Sequence, residues 1–587
     1  MRTRRVERLC YLLSPVALAF PLACSIPDRS LSPPSADSGL PSDAASPVDS
    51  GPSSDAGPES GDVAAAEFTL RLLVSQVSVR PGGTAKTAVT VVPAAGFAGA
   101  VTVTAVGLPA GITADSLVVP SGATVGTLTL RAASGVPFTP EVLQVYVVGA
   151  SGGFIAPAVS LRLVVPGPPG TLDATFGTNG IETIPLDALE QTGSLAGLTV
   201  QPDGKIVYGG SYGEAYSSNW TVLGRLNSDG TPDTTFNPSG TLPGAVVELP
   251  TWAGTFVAQG QGAVQVLPSG DILVGGHVSL PSSPWILMVS EFTAGGGLDP
   301  SFPSSGIDAL WGETSWDQQG LGGLLVLPGG EMILGGGVTW SSFPVLVKLL
   351  ANGEPDTSFD PLLADGGAAA VAYPGPDAGP YNKVSFGPLA LLPNGDVLGG
   401  LGGTGLPLAL AISSTTGQID TNFGPNGDGT LLGPTAPPFA GVVQGIATGA
   451  DGSALFLGST ATTIELTRFS ADGKLDSTFG TEGLASPSFP GGNASAGSFV
   501  LASDGTIVVG ATLPGISSIG VVRYTPQGAL DATFNGGAGY AGVPPQYGGS
   551  SATGGTTLVT LDASGRIVVG FMIETNSPAL QFARFWP

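Results

Sequence analysis

Pro202-Asp203-Gly204-Lys205-Ile206-Val207, followed about thirty residues later by Asp233-Thr234-Thr235-Phe236, is the stretch from which the fold is read. An Asp-Gly pair set before an apolar run favours a tight hairpin, because glycine accepts the positive φ that such turns need. Both halves of the stretch recur. Leu-Asp-x-x-Phe or a close variant stands at Asp173/Phe176, Asp233/Phe236, Asp299/Phe302, Asp356/Phe359, Asp420/Phe423, Asp476/Phe479 and Asp531/Phe534. The successive aspartates are 60, 66, 57, 64, 56 and 55 residues apart. The hairpin half returns at Pro268-Ser269-Gly270, Pro328-Gly329-Gly330, Pro393-Asn394-Gly395, Asp451-Gly452, Asp504-Gly505 and Ser564-Gly565. A third signature, a basic residue and an apolar one before a polar-Gly turn, stands at Arg225-Leu226, Lys348-Leu349, Arg468-Phe469, Arg523-Tyr524 and Arg584-Phe585.

Each unit therefore reads as strand, Asp-Gly hairpin, strand, loop, strand, turn, then a strand carrying Asp-x-x-Phe. Four antiparallel strands per repeat of about sixty residues is the pattern of a propeller blade. The ends of the array matter most. The first Asp-x-x-Phe precedes any hairpin, and the last unit stops at Arg584-Phe585-Trp586 without one. Seven copies of each of the first two signatures, offset by one strand, predict an all-β chain whose residues 171–587 form a seven-bladed β-propeller closed by its N-terminal strand, which removes an exposed sheet edge. These anchors and hairpins resemble the delta-60 propeller repeat of bacterial surface proteins. That resemblance implies a fold and a surface address, and no reaction.

Upstream, short alternating runs such as Phe68-Thr69-Leu70-Arg71-Leu72, Val101-Thr102-Val103-Thr104 and Thr127-Leu128-Thr129-Leu130 are separated by turn residues. Period-two hydrophobicity on this scale predicts an antiparallel β-sandwich over 67–166. The turn Gly107-Leu108-Pro109-Ala110-Gly111 with the strands that follow resembles bacterial immunoglobulin-like spacer domains. Pro166-Gly167-Pro168-Pro169-Gly170 is read as a stiff boundary. Residues 25–66 are nearly all Ser, Pro, Asp, Gly and Ala, too poor in apolar side chains to offset the entropy of ordering, and are read as a solvated linker.

Residues 1–24 carry an export signal: Arg2, Arg4, Arg5 and Arg8, then an apolar run to Phe20 that is too short for a permanent membrane helix. The run ends at Pro21-Leu22-Ala23-Cys24-Ser25, which resembles a bacterial lipobox. The resemblance implies lipidation at Cys24, a membrane partner through that anchor, and an outer-membrane or cell-surface location. Ala17-Leu18-Ala19 offers a rival cut for ordinary secretion. The only cysteines are Cys10 and Cys24, so a disulfide framework and a thiolate metal site are both excluded from the mature chain. A formal net charge of −25 with only 11% charged residues disfavours nucleic acid and anionic lipid as partners.

Candidate chemistry is sparse. An aspartate repeated in every unit suits scaffolding, with the carboxylate accepting backbone N–H bonds two residues on and the phenylalanine packing between blades. Asn426-Gly427-Asp428-Gly429 lacks the register and closing glutamate of a calcium loop. Gly209-Gly210-Ser211-Tyr212-Gly213 fits G-x-S-x-G, and Gly400-Leu401-Gly402-Gly403-Thr404-Gly405 fits G-x-G-x-x-G, yet neither precedes a recognisable helix. A serine triad would also need the only histidine, His277. No catalytic residue, metal site or cofactor is expected. The expected ligand-binding residues are aromatics and polar groups on variable loops: Trp252, Trp311, Trp316, Asp317, Tyr381 and Lys383. The expected function is non-catalytic recognition of a glycan or protein by a monomer at the cell surface. Two alternatives are an extracellular polysaccharide hydrolase or lyase, with Glu313 and Asp317 as carboxylates, and a structural spacer.

Overall fold

In a computed structural model, residues 67–587 are described apart from connecting stretches, chiefly 186–191, 248–254, 311–317, 360–367, 371–384, 433–441 and 544–556. The described chain is all-β, with a 3-10 turn at Asn535–Gly537. No helix is long and apolar enough to cross a membrane among the described residues.

The first part is two sheets around one core. Strands Phe68–Leu72, Thr84–Pro93, Val125–Ala132 and Ile112–Ala114 pair in that order. Opposite them lie Gln76–Ser78, Val159–Val165, Thr139–Ser151, Val101–Val106 and Leu117–Val119. The alternation seen in the sequence sorts the side chains: Phe68, Leu70, Val101 and Val103 are buried, while Thr69, Arg71, Thr102 and Thr104 face outward.

The repeats then fold as antiparallel sheets whose strands follow chain order. In the Asp233 repeat these are Thr192–Val200, Ile206–Glu214, Ser218–Leu226 and Ala245–Val247. Each first strand faces the next repeat's first strand at close range. A Cβ on Gly197 would lie 2.5 Å from Val264, and one on Gly497 would lie 2.2 Å from the Thr557 carbonyl. The Asp356 and Asp420 repeats approach so closely that Gly337 and Ser385 pair directly, joining eight strands into one sheet.

Asp-x-x-Phe is a turn and not a strand. In each repeat the carboxylate bonds to the residue two further on, which bends the chain, and the fourth strand begins only after it, as at Ala245–Val247 beyond Phe236.

Closure comes from both chain ends. Strand Ile181–Pro185 pairs antiparallel with Ala579–Phe585, completing the sheet formed with Leu558–Leu561 and Ile567–Ile573. The hairpin that would join them is made of two separate pieces. Trp586 N–H donates to the Thr171 carbonyl at 2.9 Å, and Gly170 N–H donates to the Trp586 carbonyl at 2.9 Å. Asn227, Thr231 and Gly230 make the same two bonds within one continuous hairpin, at 2.7 and 2.9 Å. Gly170 has φ +82, as Gly230 has φ +91, so the proline-glycine boundary supplies the turn glycine of the last repeat.

Deleting 171–185 strips that strand and half of that hairpin, and should lower the midpoint of thermal unfolding far more than deleting 25–66. Equal midpoints for the two truncations, followed by circular dichroism, would contradict closure by this pairing.

Candidate functional site

The recurring aspartate is the best-defined polar feature of the structure. One oxygen serves its own turn: Asp233 Oδ1 accepts from Thr235 N at 3.1 Å and Thr235 Oγ1 at 2.6 Å. The same pair of bonds is made by Asp173 with Thr175, Asp299 with Ser301, Asp356 with Ser358, Asp476 with Thr478 and Asp531 with Thr533. Asp420 does so with Asn422.

The other oxygen takes a cation from the end of the third strand. Arg225 Nε reaches Asp233 Oδ2 at 2.7 Å, as do Arg468 with Asp476, Arg523 with Asp531 and Arg584 with Asp173. Lys348 does the same for Asp356 at 3.1 Å. Lys205 adds an ammonium as a second cation to Asp233 at 2.9 Å, and Arg566 a second guanidinium to Asp173 at 3.2 Å. Burial works against the charge of Asp233, and bonds from Thr235, Lys205 and Arg225 outweigh it, holding its carboxyl well below the usual range.

The guanidinium continues outward. It lies over the phenylalanine of the same turn, 4.7 Å from the Phe236 ring centre for Arg225 and 4.6 Å from Phe534 for Arg523. It then donates to the following repeat's hairpin, Arg225 to the Ala294 carbonyl and Arg468 to that of Pro526, both at 2.6 Å. Arg584 reaches the Ser228 carbonyl in the same way. The phenylalanines are buried against the next repeat, where a positive-φ glycine makes room. A Cβ on Gly230 would sit 2.9 Å from Phe176, and one on Gly528 2.8 Å from Phe479.

Inside the ring, first strands from all repeats line a channel of about 630 Å³. Its lining is uncharged throughout, with Ala196, Val264, Gly322, Gly387, Gln444 and Ser498 contributed by successive repeats. Several of these stand at register shifts, such as Leu195/Gly197, Val443/Gly445 and Ala496/Ser498, where one residue drops out of the ladder.

The sequence motifs resolve as follows. Ser211 of the G-x-S-x-G match is buried in mid-strand Ile206–Glu214, paired with Ser194 and Thr221, where no nucleophile elbow can form. Gly400 and Gly402 of the G-x-G-x-x-G match lie in strand Val397–Gly402. His277 belongs to strand Ile272–Leu280, in a different sheet from Ser211. Asp428 accepts from Thr430 N and Oγ1 and so makes a local turn. Trp252, Trp311, Trp316, Asp317, Tyr381 and Lys383 lie outside the described residues, as do Glu313 and Cys24.

Sequence reading missed the pairing between the basic residue and the aspartate. Its signal was a constant spacing: eight residues separate Arg225 from Asp233, Lys348 from Asp356, Arg468 from Asp476 and Arg523 from Asp531. It also missed that Asp271, Glu291 and Asp299 converge, with one oxygen of each within 4.8 Å of the others.

A family model described as "Domain of unknown function (DUF5122) beta-propeller" matches residues 201–236, 328–359 and 502–534. Each match runs from an Asp-Gly-type hairpin to the phenylalanine of Asp-x-x-Phe. The chain is thus an all-β repeat protein of β-propeller type. No curated protein matches it.

Arg584→Ala leaves Asp173, whose exposure is 0%, with less than its full set of donors, and should cost about 3–5 kcal/mol in denaturant unfolding. Arg468→Ala exposes a pair already a quarter open to solvent and should cost about 1–2 kcal/mol. Equal losses would show that burial does not set the strength of these pairs.

Proposed function

We propose that the chain is an exported, lipid-anchored binding protein: an immunoglobulin-like domain at 67–166 carrying a seven-bladed propeller at 171–587, which recognises a glycan or protein segment without chemical turnover. The supporting observation is the separation of the ring into two unlike ends. Hairpins such as 201–205 and 227–231, with every Asp-x-x-Phe turn, share one end. The long connections 248–254, 311–317 and 371–384 enter first strands at the opposite end, by the antiparallel order of the strands.

The preceding domain docks on the hairpin end. Gln76 Nε2 donates to Ser564 Oγ at 2.6 Å, and Arg80 donates to the Pro587 carbonyl at 2.9 Å. Gly167 packs on Trp586. The channel's uncharged lining disfavours ionic ligands, because a charge entering it would lose hydration with no counter-charge. A neutral glycan or an uncharged peptide stretch fits best.

Trp311 and Trp316 belong to connection 311–317 by sequence, so on this reading their joint replacement by Ala should weaken binding in a neutral-glycan array by more than about tenfold, with the melting midpoint unchanged. Undiminished binding, or a double variant that unfolds, would make those indoles packing residues.

Cys24→Ser should release the protein from the membrane fraction and leave the signal uncleaved. A mature N-terminus beginning at Phe20 would mean ordinary secretion.

A further inference from the structure

Two repeats lack the cation that holds the aspartate elsewhere, and both place an added carboxylate near that position. In the Asp299 repeat, Asp299 N–H donates to the Glu291 carbonyl at 2.8 Å, which is the bond Asp233 makes to Arg225. Glu291 therefore stands where the arginine belongs. Asp271, just after the hairpin glycine, takes the place held by Lys205 and Arg566 in other repeats. In the Asp420 repeat, the backbone bond from Asp420 goes to Ala411, and Asp396 fills the Lys205 position. There burial, then the neighbouring charge of Asp420, pushes the Asp396 carboxyl above the usual range. Replacement of a base by a neutral residue alone would have left a single solvated aspartate. These repeats have gained acids instead.

We propose that the Asp299 repeat carries a proton-dependent lock, in which Asp271, Glu291 and Asp299 hold the outer strand Ile307–Leu310 to its neighbour only while one carboxyl keeps a proton. Glu291 is the group that keeps it. Ser301 donates twice to Asp299 and favours its charged form. Burial, then the charges of Asp299 and Asp271, push Glu291 up to about 7. The surrounding charges are few. Arg225 of the preceding repeat ends on the Ala294 carbonyl, three residues beyond Glu291, and the following hairpin carries the exposed Glu354. Protonated, Glu291 can donate to a neighbouring carboxylate as an arginine would. Ionised, it adds a third negative charge.

The sign follows from the raised value. Between the ordinary glutamate range and about pH 7 the folded repeat binds more protons than the opened one, so its stability falls as pH rises, then levels off. The outer strand leads directly into connection 311–317, so alkaline solution loosens an element that enters the loop end. This inference stands whether or not that end binds a glycan.

The test is hydrogen exchange by mass spectrometry on the full chain, corrected for intrinsic rates, from about pH 5.5 to about pH 8. Protection of Ser283–Phe292 and Ile307–Leu310 should fall about tenfold relative to Ser517–Tyr524, whose repeat has Arg523 on Asp531. Glu291→Gln and Glu291→Arg should each abolish the difference. An equal change in all three segments, or an undiminished one in Glu291→Gln, would overturn the proposal. So would calcium chloride that protects the wild-type segment at about pH 8 as fully as acid does, since a metal ion would then be the occupant.

Discussion

A buried carboxylate must have every lone pair engaged, and in this ring that requirement ties three levels of structure together. One oxygen of each recurring aspartate shapes its own turn, and in five repeats the other holds an arginine or lysine from the third strand. The arginine then covers a phenylalanine and reaches the next repeat's carbonyl, as Arg225 does at Ala294. The turn, the sheet and the junction between sheets therefore share one residue pair. Loss of the aspartate would free a guanidinium, expose a phenylalanine and release a carbonyl together. Closure uses the same pair with its two members 411 residues apart, Asp173 and Arg584.

This placement gives the ring its asymmetry. The stapled end is crowded with short turns and tolerates little variation, because Gly230, Gly296, Gly353 and Gly528 each face a phenylalanine of the preceding repeat. The opposite end contributes nothing to the staples, so its connections are free to lengthen, as 371–384 and 544–556 do. The two repeats with added acids keep the turn and lose the ionic tie, which makes their outer strands the least firmly held.

Much of this was legible in the sequence because glycine and aspartate act locally. Gly204, Gly270, Gly330 and Gly395 all have φ between +87 and +94, as tight hairpins demand, so the hairpins and strand order could be read directly. The offset between the first Asp-x-x-Phe and the last strand likewise foretold the pairing of Ile181–Pro185 with Ala579–Phe585. The Asp-x-x-Phe segment was misjudged as strand, since its apolar flanks mimic alternation while its carboxylate bends the chain. Pro166–Gly170 reads in sequence as a boundary alone, because a hairpin assembled from two chain ends has no sequence neighbour to reveal it. The acid group escaped for a similar reason: Asp271, Glu291 and Asp299 are separated in sequence, and only the backbone register shows that they replace bases. The aromatic loop residues lie outside the described structure, and their role rests on composition and on the end of the ring they enter.

The central claim is that the aspartate–arginine pair closes the ring, and a double-mutant cycle on Asp173 and Arg584 measures it most directly. Unfolding free energies of Asp173→Ala, Arg584→Ala and the double variant are compared with the parent. The account predicts that the double variant is scarcely less stable than either single one, with a coupling of at least about 2 kcal/mol. Strictly additive losses, with coupling near zero, would mean that the two residues stabilise their own segments independently and that something else closes the ring.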